Sequence, residues 1–458
     1  MYQIDFKKPC SIYFVGIGGI SMSGLAKILQ DAGFRVSGSD WHSTPITKEL
    51  EESGIQIKYG ESSEHVGDDI DCAVLTSAVH DDNLEFQAIK AKNIPYMFRA
   101  ELLGQLMKNY AMPVAVSGTH GKTTTTSMIS EILLRGNTDP TLSVGGILKS
   151  IGGNLRIGKS GYFVTEACEY TNSFLSFSPK VALILNIEED HLDFFKDLDD
   201  IRCSFRRFAE LLPADGTLII NGDIENWQEI SAGLPCKVIT FGHSADCDYA
   251  LTSITYNESG YPECVLKTPA GNRALKLQVP GEHNVMNAMA STALADVLSI
   301  DPAVTTDALY DFHGTNRRFE YKGCIGGVTV VDDYAHHPTE ITATLQAAGN
   351  YPHKTLWCVF QPHTYTRTKA LMNDFAQALT LADRVVLTDI YAAREKDTLG
   401  ISSRDLQKAI QDLGKECAYF PTFDEVENFL LENSINGDLL ITMGAGDVHK
   451  IGETLLGQ

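Results

Sequence analysis

The chain of 458 residues is short of positive charge: 37 lysines and arginines stand against 59 aspartates and glutamates, a formal net charge of −22. That balance argues against general nucleic-acid binding, in which Lys and Arg face the phosphates. There is no basic block and no low-complexity tail. No apolar run approaches the ~20 residues a bilayer span needs, so no membrane insertion is expected. The opening residues MYQIDFKKP lack the apolar stretch and small-residue cleavage site of an export signal. Ten cysteines are scattered without a CxxC pair, so reduced packing thiols and a cytoplasmic location are expected. No short-period repeat appears. None of this excludes a nucleotide substrate, whose charge a few local groups can meet.

Apolar residues make up 43% of the chain, enough for several cores, and the length suggests about three domains. The stretch with the clearest chemistry is Val114 to Thr126, VAVSGTHGKTTTT. Small and apolar residues predict a buried strand, Gly118 to Gly121 a turn, and Lys122 onward a helix carrying Met128, Ile129, Ile132 and Leu133. Strand, glycine turn and helix N-terminus make a phosphate cradle. Lys122 can reach the β/γ-phosphates, and the Thr123 hydroxyl can hold Mg²⁺. The glycine that usually stands five residues before the G-K pair is missing: that position is Val116. The loop is therefore the shorter G-x-x-G-K-T form.

Upstream, Ser11 to Val15 predicts a strand, followed by Gly16, Gly18 and Gly19 and a helix with Met22, Leu25, Ala26, Ile28 and Leu29 on one face. A second strand, Phe34 to Ser37, ends at Gly38-Ser39-Asp40. This resembles a dinucleotide-binding βαβ unit, and it also fits a domain that holds a UDP-sugar by its diphosphate. The third glycine of G-x-G-x-x-G is absent, since Ser21 stands there. Strands at Ile55 to Tyr59 and Ala73 to Thr76 follow, the latter ending in Ser77, where ligands bind in open α/β sheets. Arg99 opens a helix and meets either an anion or a surface acid. Asn109 to Pro113 reads as a linker.

Beyond the cradle, Gly145-Gly146 and Gly152-Gly153-Asn154 are expected to mark loops. Strands at Tyr162 to Thr165 and Val181 to Asn186 end in Glu166 and in Glu188-Glu189-Asp190-His191. Both ends should border the cradle. Glu166 and His191 can hold a divalent ion there, or be a surface acid and a loop histidine. Mg²⁺ prefers oxygen donors, so an imidazole ligand leaves room for Mn²⁺. Asn284 and Asn287 share a helix face. They suit an adenine edge, with helix capping by Asn284 as the plainer reading. From Thr315 on, strands at Val328 to Val331, Thr355 to Phe360, Val385 to Thr388 and Asp438 to Thr442 each end in a polar cluster. They predict a further parallel α/β layer.

The blocks SGTHGKTTTT, NIEEDHLD, GEHNVMNAMA, TNRRFE, DDYAHHPTE and QPHTYTRT stand in the order found in Mur ligases, and the resemblance covers essentially the whole chain. The opening VGIGGISMSGLA is similar to the alanine-adding branch. The resemblance implies an α/β protein of three domains. Residues 1–110 would be an N-terminal Rossmann-like domain for UDP-N-acetylmuramate. Residues 111–314 would be a central P-loop-type ATP-binding domain, and residues 315–458 a C-terminal Rossmann-like domain that admits L-alanine. It implies an ATP-dependent ligase that makes an amide through an acyl phosphate, with Mg²⁺, or Mn²⁺ in its place.

Carried over by position, Gly118, Thr119, His120, Gly121, Lys122, Thr123 and Thr124 would bind the ATP phosphates, and Asn287, Arg318 and Asp333 would complete the ATP site. Lys122, Glu166 and His191 would be catalytic, with Thr123, Glu166 and His191 at the metal. Gly16, Gly18, Gly19, Ser37, Asp40 and Ser77 would meet the UDP-sugar. His336, His363 and Arg367 would line the amino-acid side, with His336 and His363 as candidate bases by residue type. A monomer–dimer equilibrium is left open. Two departures stand out. The segment from Asp200 to Phe208 has no lysine where some relatives carry a carbamylated one. Thr364 stands where some have arginine.

Four other readings compete. A catalytically dead binding protein of this fold would leave Lys122, Glu166 and His191, all present, without a role. A nicotinamide-dependent oxidoreductase would leave the GTHGKTT cradle unexplained. A P-loop kinase or ATPase would leave the flanking segments without a role. A peptide-recycling Mur ligase would add a tripeptide to the same nucleotide.

Overall fold

The computed structural model describes every residue except Met1, Ser77, Asp193 and Arg394. By contacts the chain divides into two compact units, Met1–Thr240 and Phe241–Gln458.

The first unit begins with five strands: β1 (Ser11–Val15), β2 (Arg35–Asp40), β3 (Gln56–Tyr59), β4 (Cys72–Leu75) and β5 (Tyr96–Phe98). They pair in parallel in the order β3-β2-β1-β4-β5. The helix Ile20–Asp31 joins β1 to β2 and buries Met22, Leu25, Ala26, Ile28 and Leu29, the face its spacing predicts. The chain order reverses at β1, between β2 and β4, the crevice where open α/β sheets bind ligands.

The same unit continues with β6 (Met112–Ser117), β7 (Thr141–Leu148), β8 (Gly153–Arg156), β9 (Tyr162–Ala167), β10 (Val181–Ile184), β11 (Thr217–Asn221) and β12 (Lys237–Gly242). β6 lies between β9 and β10, parallel to both. The predicted acidic strand ends therefore do flank the phosphate loop. Fully buried Phe174 stacks on Phe208, ring centroids 4.6 Å apart, beneath this layer.

Two expectations change here. Gly145 and Gly146 lie inside β7, and Gly153 opens β8, which runs antiparallel to β7. Glycine usually punctuates loops, but in a strand it also marks a close approach; a Cβ on Gly145 would stand 2.6 Å from both carboxylate oxygens of Glu166. The expected linker is half strand, since Met112 and Pro113 already belong to β6.

In the second unit, Phe241–Gly242 at the end of β12 pairs with Tyr249–Ala250. There β13 (Tyr249–Tyr256) starts an antiparallel meander with β14 (Pro262–Thr268) and β15 (Gly271–Lys276). The helix Glu282–Val297 follows. The last six strands are β16 (Glu320–Ile325), β17 (Val328–Asp333), β18 (Leu356–Phe360), β19 (Arg384–Leu387), β20 (Cys417–Tyr419) and β21 (Leu439–Met443). Their order is β16-β17-β21-β18-β19-β20. The expected parallel layer holds for five strands; β16 is antiparallel to β17, as a short hairpin edge requires. Among the described residues no helix is long and apolar enough to cross a membrane.

Candidate active site

The phosphate loop takes the predicted form. β6 delivers Ser117, the chain turns through Gly118–Gly121, and the helix Lys122–Arg135 begins. Gly121 is its N-cap at φ 83°, a left-handed conformation that suits glycine, and no side chain caps the helix. That end presents backbone donors and the positive end of the helix dipole. Thr124 is buried in its first turn.

The loop is clamped by Asn186, just past β10. Its Oδ1 accepts from His120 N at 2.7 Å, and its Nδ2 donates to His120 O at 3.1 Å. Thr119 Oγ1 accepts from Glu188 N at 2.9 Å. His120 Nε2 lies 3.5 Å from Glu188 Oε2. In the sequence Asn186 is a strand end, and its amide next to a glycine loop is the one signal of this role.

Lys122 Nζ folds back to Gly118 O at 2.5 Å and Thr119 O at 3.0 Å, and pairs with Glu169 Oε2 at 3.0 Å. Burial pulls the lysine pKa down, but Glu169, Cys168 and Glu166 together outweigh it and hold the ammonium above its ordinary value. Glu169 is 2% exposed.

Glu166 stands in β9 with Oε1 accepting from Gly145 N at 2.5 Å and Oε2 accepting from Thr123 Oγ1 at 3.1 Å. Two hard oxygen donors thus sit side by side at the mouth of the phosphate loop, a donor set that fits Mg²⁺. His191, at φ 54°, lies against the Tyr170 ring at 4.4 Å. Its Nε2 is 3.9 Å from Glu169 Oε1 and 3.7 Å from Asp190 Oδ2. The imidazole is therefore placed beside Glu169, on the lysine side of the cluster.

At the first sheet, Gly19 caps the helix Ile20–Asp31, and Gly18 N donates to Asp40 Oδ2 at 2.7 Å. Asp40 Oδ1 accepts from Trp41 N at 2.8 Å, so both its oxygens already hold backbone donors. A cavity of about 340 Å³ opens here, lined by Gly16, Ser39, Asp40, Thr76 and Glu85 among others. Ser37 is one step deeper in β2, paired with Tyr13, and Ser39 takes the cavity position. Ser77 lies outside the described residues. Glu85 is buried and accepts from Ser39 Oγ in a short hydrogen bond, with His65 Nδ1 at 2.7 Å. In the sequence it looks like any solvated first-turn acid. Of the two readings of Arg99, the surface pair is not formed. Its Nη1 donates to Ser21 Oγ at 2.9 Å, while Glu101 accepts from Phe98 N.

In the second unit, Asn284 and Asn287 meet at 3.1 Å, and both are buried. Asn284 Nδ2 donates to Pro280 O at 2.7 Å; the helix is capped by Gly281, so the capping reading of Asn284 does not hold. The adjacent arginines divide their work. Arg317 is tied to Asp332 at 2.9 Å and Gly444 O at 2.7 Å. Arg318 Nη1 stands 3.9 Å from Glu340 Oε1, with its guanidinium over the Tyr334 ring. Burial pushes the Asp333 carboxyl up to about 6, against the pull of Arg318 and two backbone N–H donors, Ala335 at 2.7 Å and Phe319 at 2.8 Å. His336, His363 and Arg367 are brought together. The two imidazoles are 5.9 Å apart, Arg367 Nη1 is 3.4 Å from His363 Nδ1, and His363 stacks on Tyr391. Glu340 is not legible in the sequence, because an acid three residues into a proline-started helix reads as a helix-start charge.

Parallel sheets with a phosphate loop, a half-buried lysine and a paired threonine and carboxylate define a nucleotide-dependent α/β enzyme. Models of the Mur ligases match along the chain. The model described as "Mur ligase family, catalytic domain" covers residues 11–111, "Mur ligase middle domain" covers 116–295 and "Mur ligase, glutamate ligase domain" covers 317–446. The chain belongs to the Mur ligase family. It is 58% identical to the UDP-N-acetylmuramate–L-alanine ligase of Lachnospira eligens and 56% identical to that of Agathobacter rectalis, with all of each chain covered. The crystal structure of the UDP-N-acetylmuramate–alanine ligase of Thermotoga maritima superposes with a TM-score of 0.81 at 31% identity, covering 98% of both chains.

Proposed function

We propose that the protein is an ATP-dependent ligase that joins L-alanine to the carboxylate of UDP-N-acetylmuramate in peptidoglycan precursor synthesis, acting in the cytoplasm. The observation that carries this is the pairing of Thr123 with Glu166 beside Lys122 at the mouth of the phosphate loop, in a chain that aligns end to end with alanine-adding ligases. The reaction passes the γ-phosphoryl group of ATP to the muramyl carboxylate, and the amine of alanine then displaces phosphate from the acyl phosphate.

In this reading residues 1–110 take the UDP-sugar, 111–314 the ATP and 315–458 the amino acid. Gly16, Gly18 and Gly19 let the backbone approach the diphosphate, and Ser39 and Glu85 add the polar wall of the nucleoside cavity. Backbone donors from Gly118 to Thr124 hold the ATP phosphates, and Lys122 offsets charge on the group in transfer. Thr123 and Glu166 would hold Mg²⁺, with His191 on a neighbouring metal position. The ion would supply charge neutralisation at the phosphates. Asn287 meets the adenine edge, and Arg318 and Asp333 complete the ATP site. His336, His363 and Arg367 orient the amino acid and its carboxylate.

Mass spectrometry of the nucleotide product tests this. Incubation with ATP, Mg²⁺, UDP-N-acetylmuramate and L-alanine should give a species heavier by one alanine residue, and omission of any one component should abolish it. An unchanged nucleotide in the complete mixture would remove the proposal.

A further inference from the structure

The two histidines on the amino-acid side have opposite surroundings. His336 Nδ1 lies 3.0 Å from Tyr334 O and 3.3 Å from Glu340 Oε2. A carbonyl oxygen only accepts, so Nδ1 carries the ring proton and Nε2 holds the lone pair. Glu340 Oε2 also accepts from the backbone N–H of His336 at 3.1 Å, which fixes the residue from a second direction. A carboxylate beside Nδ1 stabilises the imidazolium that forms when Nε2 takes a proton, the logic of an acid–histidine pair.

His363 is the reverse case. Its Nδ1 stands 3.4 Å from Arg367 Nη1. A guanidinium only donates, so this nitrogen is an acceptor and the neighbouring positive charge opposes protonation of the ring. One ring is prepared to gain a proton and the other to remain neutral.

We propose that His336 Nε2 is the general base for the amine of the incoming amino acid, with Glu340 as its positioning residue. This rests on the ligase reading above. The amine lone pair forms the C–N bond at the acyl carbon, the C–O bond to phosphate breaks, and phosphate leaves with that electron pair. The N–H proton passes to Nε2, and the imidazolium returns it to solvent. Balance requires no other reactant. Among the described residues, the charged and titratable groups facing the pair include Arg318, 3.9 Å from Glu340 Oε1, with Asp333 and His283, both of which feel Arg318 and Glu340. His363 and Arg367 lie across from His336. Glu340 thus connects the base to the arginine expected at ATP.

Hydroxylamine separates the two chemical steps. It is neutral and nucleophilic at neutral pH, so it captures an acyl phosphate as a hydroxamate without help from a base. With ATP, Mg²⁺ and UDP-N-acetylmuramate, the variants His336→Asn and Glu340→Gln should form hydroxamate within about threefold of the unmodified enzyme. Their alanine-dependent phosphate release should fall about a hundredfold or more, the size of a general-base contribution. Glu340→Gln should also move the acidic limb of the alanine kcat/KM profile to lower pH, because the imidazolium loses its stabilising charge. Glu340→Asp should recover part of the rate. Alanine turnover unchanged in either variant, or hydroxamate lost in step with it in both, would overturn the assignment. If the unmodified enzyme forms no hydroxamate, the ligase reading fails instead.

Discussion

Lys122 Nζ lies 3.0 Å from Oε2 of Glu169, so the lysine of the phosphate loop is ion-paired to a buried carboxylate before any nucleotide is considered. Truncating one partner of such a pair leaves the other charge buried and uncompensated, at a cost of about 3–5 kcal/mol. Lys122→Ala should therefore abolish phosphate release and lower the melting temperature, while affinity for the UDP-sugar stays within about tenfold. Calorimetry and a binding titration check the two halves. The lysine pKa is raised, so the pair's contribution is complete below the ordinary value of 10.5 and is lost only as pH rises beyond it. Across neutral pH the pair's contribution to the parent's stability should therefore be flat.

Gly145 marks the space that Glu166 occupies. A methyl group there would fall 2.6 Å from both carboxylate oxygens and remove the 2.5 Å hydrogen bond geometry from Gly145 N. Gly145→Ala should raise the Mg²⁺ concentration needed for half-maximal activity by about 10- to 100-fold, the size of one hydrogen bond to a charged group. Mg²⁺ titration of phosphate release measures it.

At the other glycine turn, a Cβ on Gly18 would meet Thr47 Cγ2 at 2.7 Å and Asp40 Oδ2 at 2.8 Å. Gly18→Ala should break the 2.7 Å bond from Gly18 N to Asp40 and raise the KM for the UDP-sugar by about tenfold or more. The KM for ATP should be unchanged, because the phosphate loop is a separate element. Steady-state kinetics with each substrate varied in turn distinguishes the two.

Asp333 gives a pH signature. Its carboxyl is pushed up to about 6 by burial, from an ordinary 3.8. A raised acid binds its proton more tightly when folded, so this group's stabilising contribution is present below 3.8 and is lost as pH rises towards 6. The loss is about 3 kcal/mol. Asp333→Asn should remove that decline, so denaturant unfolding of parent and variant at pH 4 and pH 7 should differ in slope with pH.

Much of this site could be read in the sequence because its chemistry is local. VSGTHGKTT specifies strand, turn and helix in consecutive residues, and Ile20–Asp31 shows its buried face in its spacing. Glu166 and His191 were found as acids and imidazoles at strand ends. What the sequence hid depends on contacts far apart in the chain. Glu169 is an ordinary acid until Lys122 reaches it, and Glu340 is a helix-start charge until His336 and Arg318 converge on it. In the meander, β14 alternates in burial, but β13 and β15 are mostly half-buried or exposed, so their alternation is weak. Gly145 and Gly146 resemble a loop because the reason for glycine there, the Glu166 carboxylate, lies on another strand.

The most direct test of the central claim is phosphate release from ATP and Mg²⁺ with UDP-N-acetylmuramate, supplying alanine, glycine, serine or a γ-glutamyl tripeptide in separate reactions. The alanine-adding assignment predicts release that requires both the nucleotide sugar and L-alanine. Release with the tripeptide and none with alanine, or release that ignores the nucleotide sugar, would contradict it.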